Sequence, residues 1–205
     1  MRQLTIILTT FLLTSCCCKY DDNDFAFTEL HDNLLKPYAK GDTIFFVNQT
    51  GDFDTITVSN IETYKQCGCI MAGNWRHVSV EIRHLPKNNW TAGTEHSQDG
   101  SVKVLDQDLI VIEKMFKDEN PDYFIGINYR TLMGEFPSFD SCSIDNRFSD
   151  LGISKYWTIK NESADWKQYK DDSTIILTAY WTEKFGLTEY ELRNGDIYRI
   201  KKNVP

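Results

Sequence analysis

The sequence predicts a mainly β protein: a single antiparallel sheet, curved or doubled into a sandwich, with little helix. Three observations predict it. Short runs in which apolar and polar residues alternate recur along the chain, the period of a half-buried strand. Turn residues such as Gly51-Asp52 and Asn194-Gly195 separate several of them. Aromatic residues form 13% of the 205, a bias that suits a pleated surface better than a helix.

Taken in order, residues 25–40 hold the one helical spacing, Glu29-Leu30 to Leu34-Leu35, which Pro37 ends. Residues 43–47 are apolar and β-branched, Asn48 to Asp52 read as a turn, and residues 54–58 alternate. Together these predict a hairpin, with residues 61–64 extending its second strand. Residues 76–84 set Val78, Val80 and Ile82 against Ser79, Glu81 and Arg83, a strand with one buried face. Residues 86–100 read as loop, and residues 101–115 as two short strands about Asp106-Gln107-Asp108. Pro121 closes a break, residues 123–129 form a strand, and residues 134–155 are mostly loop. Residues 173–181, 186–192 and 197–200 predict a closing meander whose Asn194-Gly195 turn is expected to be type I′. Without a repeat or Pro-rich linker, residues 25–205 form one domain.

The amino terminus reads differently. Arg2 precedes a ten-residue apolar stretch, Leu4 to Leu13. A membrane-spanning helix needs roughly 20 such residues, so residues 1–15 read as a cleaved export leader. Leu13-Thr14-Ser15-Cys16 resembles the lipobox of bacterial lipoproteins. That resemblance implies a diacylglycerol on the Cys16 thiol, cleavage before it and acylation of the new amine. Each buried acyl CH₂ contributes about 0.8 kcal/mol, so several chains anchor a protein where one does not. Residues 16–24, with Asp21, Asp22 and Asp24, read as a lipidated acidic tether. An acidic run after the lipid-bearing Cys also resembles the surface-export signal of Bacteroidota lipoproteins.

The formal charge is −8, and losing Arg2 with the leader adds one negative unit. Such a surface argues against nucleic acid and against an electrostatic grip on anionic membrane. Mean hydropathy is −0.43. Cys67, Cys69 and Cys142 lie beyond the anchor, in what would be an oxidising compartment. Cys67 and Cys69 stand too close along a strand for an easy mutual bridge, so Cys142 is expected to pair with one of them, Cys69 before Cys67.

Lys40-Gly41-Asp42-Thr43-Ile44-Phe45-Phe46 with Gly51-Asp52-Phe53-Asp54-Thr55-Ile56 resembles an opening that recurs in Bacteroidota outer-membrane lipoproteins. Lys184 to Tyr190 with Asn194-Gly195-Asp196 is similar to a Gly-led hairpin that closes many such exported β domains. These are strand and turn motifs, and the resemblance implies no activity.

No catalytic signature stands out. There is no Gly-x-Ser-x-Gly, and no acidic run has the spacing of a calcium loop. His77 and His84 fall on opposite faces of their strand, and the four His are expected at the surface, not on a metal. Trp90 and Trp166, with polar neighbours, are the expected ligand platform, by stacking. Asp42-Thr43-Ile44, Asp54-Thr55-Ile56 and Asp172-Ser173-Thr174 resemble O-glycosylation acceptors of Bacteroidota. The chain thus reads as a lipid-anchored outer-membrane protein, surface-exposed or periplasmic, that binds an envelope protein or glycan or serves as an accessory domain, without catalysis, cofactor or metal. An envelope hydrolase acting on a polymer is the alternative.

Overall fold

The computed structural model describes residues 25–70, 73–85, 94–96, 102–104, 107–116, 121–167 and 170–201. Among the described residues, helix α1 (Glu29–Leu35) precedes the strands β1 (Thr43–Val47), β2 (Phe53–Ile70), β3 (Gly73–Leu85), β4 (Thr94–His96), β5 (Val102–Val104), β6 (Gln107–Phe116), β7 (Pro121–Tyr129) and β8 (Leu132–Glu135). Then come β9 (Ser143–Ile144), β10 (Lys155–Lys160), β11 (Ile176–Thr182), β12 (Gly186–Leu192) and β13 (Ile197–Ile200). Eleven strands form one antiparallel sheet in the order β8-β7-β6-β3-β2-β1-β13-β12-β11-β10-β9, and β4 pairs with β5 apart from it. The sheet curls into a half-barrel, the curved one of the two antiparallel arrangements that the alternating runs and turn residues led one to expect.

Two turns have the same build. Gly51, at φ 91°, gives its N–H to the Asn48 carbonyl at 3.1 Å, and Asn48 N–H reaches the Asp52 carbonyl at 3.0 Å. Gly195, at φ 89°, repeats this with the Leu192 carbonyl at 3.0 Å, and Leu192 N–H reaches Asp196 at 2.8 Å. This is a three-residue loop with a left-handed glycine, not the expected type I′ turn, which needs positive φ at both central residues. Asn194 instead keeps negative φ, and its side-chain oxygen accepts the Asp196 N–H at 3.0 Å, the local bonding that asparagine favours in turns. The β1–β13 pairing sets the two turns side by side, where Gln49 donates to the Gly195 carbonyl at 3.2 Å and accepts from Ile197 N–H at 3.1 Å.

β4, β8, β9 and β10 have no counterpart among the predicted strands: β4 lies in the expected loop 86–100 and β9 in the expected loop 134–155. β10 carries Tyr156 and Trp157 in succession, and both are buried, so no polar side betrays its period. Trp157 faces the concave core opposite Trp181 of β11, whereas Tyr156 packs with Phe148, Leu151 and Tyr180 in a second cluster. The segment between β9 and β10 is therefore folded against the sheet rather than loose.

Register shifts in β2–β3, β3–β6 and β11–β12 mark bulges, which bend strands and increase twist. The curl brings β8 against β10 and β11. Asn161, 8% exposed, joins them: its amide donates to the Thr131 carbonyl at 2.8 Å and the Ile176 carbonyl at 2.6 Å, and its oxygen accepts the Met133 N–H at 3.1 Å. Met133 returns its carbonyl to the Glu162 N–H at 2.9 Å. The outer edge of β8 is thereby satisfied at Met133, as a stable sheet edge must be.

Residues 25–40 fill the mouth of the concave face. Leu34 joins the main core with Ile56, Ile82, Ile110, Ile112 and Ile127. Tyr38 is buried, and its hydroxyl accepts the Leu187 N–H at 2.9 Å. Lys114 turns inward and donates to the Ala26 carbonyl at 2.6 Å, fixing the start of this plug over the sheet.

Candidate functional site

β7 is longer than its outer neighbour. β8 pairs only with Gly126 to Tyr129, although Phe136 N–H still reaches the Ile125 carbonyl at 2.8 Å. There the ladder stops. Ser138 accepts the Asp140 N–H at 3.4 Å and starts a 3-10 turn over Phe139–Ser141, which draws the chain off the sheet. Hydrogen-bonding groups alternate sides along a strand. Since Ile125 faces the β8 side, so do the N–H and C=O of Tyr123, beyond the last residue that β8 reaches. A cleft of about 400 Å³ opens at this step, between α1, the start of β7 and residues 135–140.

His31 is the best-placed polar side chain in the cleft wall. It is only 6% exposed and stacks on Tyr123, with ring centroids 4.4 Å apart, while Phe139 meets it edge-on at 5.4 Å. Thr28 Oγ1 lies 2.6 Å from its Nδ1. Its Nε2 has no hydrogen-bond partner among the described residues. Burial, the largest cause, holds the imidazole below its ordinary 6.5; the Asp32 carboxylate opposes this and the Lys114 charge assists it. The ring is thus an apolar, mostly neutral wall with one free polar atom.

Phe124 and Glu135 line this cleft and two neighbours on the convex face, of about 390 and 500 Å³. Strand alternation explains the mixture. Tyr123 and Ile125 face the core, whereas Phe124 points outward between Met115 and Met133, at 40%, 37% and 44% exposure. Glu113, Asp122 and Glu135 surround these exposed side chains. Among the described residues no Lys or Arg lines any of the three clefts, and Asp140 adds a further carboxylate at the rim of the first.

Two other polar clusters are pins. Asp54 accepts from Tyr129 at 2.6 Å, from Arg130 at 3.1 Å and from Tyr190. Burial first, and then neighbouring charges, push both tyrosine hydroxyls up, so each keeps the proton it donates. On the other face Glu189, 1% exposed, is clamped by Arg147 at 2.9 Å and Arg199 at 2.5 Å. Arg147 also lies 3.7 Å over the Tyr180 ring. Each carboxylate is matched by its own cations and hydroxyls.

The residues singled out from sequence do not assemble. Cys16 and Trp90 lie outside the described residues, and Trp166 is exposed. Cys142 carries a free, half-buried thiol, packed against the main core; the side chain of its expected partner Cys69 lies outside the described set. His31, expected at the surface, is buried instead, because α1 presses it onto β7. No group of three or more His, Cys, Asp or Glu among the described residues is placed to hold a metal. The one sequence signal for the cleft was the aromatic pair in Phe136-Pro137-Ser138-Phe139, where a proline interrupts apolar residues. No known protein family, curated protein or solved structure matches this chain.

Proposed function

We propose that this is a non-enzymatic binding protein of the cell envelope, held to the outer membrane by lipid on Cys16, whose cleft takes a ligand with an apolar body and a positive group. What supports the binding reading is the cleft lining: His31, Phe136 and Phe139 offer aromatic surface, and Glu135 and Asp140 offer negative charge, with no Lys or Arg among the described lining residues. Its volume of about 400 Å³ lies in the range of small-ligand sites, roughly 300–1,000 Å³. Rings stack on such walls, and a cation gains from both the carboxylates and the ring faces. An acidic chain suits this ligand charge as well.

The test is calorimetric titration with phenethylamine, phenethyl alcohol and phenylacetate. The amine should bind best, more weakly as salt rises, and more weakly to a Glu135→Gln/Asp140→Asn double variant. Equal binding of all three, or none, overturns the reading. The anchor has its own test: a palmitate analogue should label the wild type and spare Cys16→Ala, and equal labelling removes the lipid from the proposal.

A further inference from the structure

We infer that the edge of β7 at Tyr123, unpaired among the described residues, accepts an extended, alternating basic and apolar peptide segment as an added strand, continuing the line of β8. This rests on the cleft being a binding site and names its partner. Two features converge there. Tyr123 presents an N–H and a C=O away from β6, past the point where residues 136–138 leave the sheet. Main-chain pairing with an exposed edge is a general means of holding peptides, with alternate side-chain pockets giving selectivity. The two faces flanking that edge differ in the way an alternating strand requires.

An added residue opposite Tyr123 would share its face, because directly paired residues point the same way. Its side chain would enter the cleft of about 400 Å³ beside His31, Phe136 and Phe139. The residues before and after it would turn to the convex side. There a cleft of about 500 Å³ exposes Phe124 and Met115 among Glu113, Asp122 and Glu135. Apolar side chains therefore suit the inward positions and Lys or Arg the outward ones. Charge complementarity selects this occupant: carboxylates ring the convex cleft, and among the described residues no Lys or Arg lines either cleft. Such charge pairing gives orientation and speed of encounter more than affinity.

The probe is fluorescein-labelled Lys-Leu-Lys-Leu-Lys-Leu, followed by anisotropy with the full chain. Two derivatives separate strand addition from loose docking. N-methylation of the leucine amides removes the donors that would face Tyr123. N-methylation of the lysine amides removes donors that would face solvent. The expected result is at least a tenfold loss for the first and little change for the second. A Glu-Leu analogue should not bind, and Glu135→Lys should weaken the Lys-Leu peptide at least tenfold. Hydrogen exchange at the Tyr123 amide should slow on saturation. Equal binding of the two methylated peptides overturns the added strand. So does phenethylamine binding without any peptide binding, which leaves the cleft reading intact. A concentration-dependent dimer with the Tyr123 amide protected before peptide is added also overturns the inference, because a second copy is then the occupant.

Discussion

Arg130 and Asp54 meet at 3.1 Å inside the curl, and Arg130 holds φ at +55° to do so. It occupies the first central position of the two-residue turn between β7 and β8, with Tyr129 paired to Leu132. Positive φ there is a glycine preference, yet an arginine stands in it because its guanidinium bonds both Asp54 and Tyr190 across the interior. Removing one partner of a buried pair strands the other, at about 3–5 kcal/mol. Asp54→Ala should lose about that much by urea unfolding. Arg130→Ala should be worse than Arg130→Gly by about 1–3 kcal/mol, the strain a non-glycine residue carries in such a conformation. Equal stability of those two variants would remove the strain from this account.

Asn161 is the clasp between the edge strand β8 and strands β10 and β11. Its side chain serves Thr131, Ile176, Met133 and Ser163 at once. Each buried group left without a partner costs about 1–3 kcal/mol. Asn161→Ala should therefore lose several kcal/mol, about 3 or more, and Met133 N–H should exchange fastest among the inner residues of β8. Unchanged exchange there would mean that packing alone holds the seam. Gly134→Ala tests the same contact sterically, because a Cβ at Gly134 would lie 2.7 Å from the Lys160 carbonyl oxygen.

Tyr38 fastens the N-terminal plug to β12. Its hydroxyl accepts the Leu187 N–H at 2.9 Å, and the ring lies so close to Gly186 that a Cβ would collide with it. Gly186 also has φ 66°. Tyr38→Phe keeps the ring but orphans a buried N–H, so a loss of about 1–3 kcal/mol is expected from thermal unfolding. Gly186→Ala should cost more, through collision and strain together. A stability order with Tyr38→Phe the weaker variant would refute this geometry.

His31 makes stability fall on the acid side. Its folded pKa lies below the ordinary 6.5. The unfolded chain therefore binds the proton more readily than the folded one, and acid favours unfolding. The contribution is full above pH 6.5 and is lost as pH drops from there through the lower folded value. His31→Gln should flatten the slope of stability against pH in that window, whatever it does to absolute stability. An identical slope in the variant would place the acid sensitivity elsewhere.

Hairpins and meander were legible because local chemistry fixes them. Asp54 to Val58 alternates, and Asn194-Gly195 demands a turn whatever the rest of the chain does. The exact turn was not legible, since Asn194 satisfies itself with the Asp196 amide. β10 was hidden because Tyr156 and Trp157, neighbours on opposite faces, are both buried, which blurs the period of two. The cleft was hidden for another reason. His31, Tyr123 and Phe139 are far apart along the chain, and nothing in their local sequences marks them as neighbours.

By itself, then, the chain determined a β-rich body with one short helix, its central hairpins and its negative charge, all properties of neighbours in sequence. Only tertiary structure decided which strands meet, that Asn161 joins β8 to β10 and β11, and that β7 outruns β8 beside an aromatic, acid-rimmed cleft. Curvature, register and edge length arise from the summed twist and packing of many strands, so no single segment encodes them.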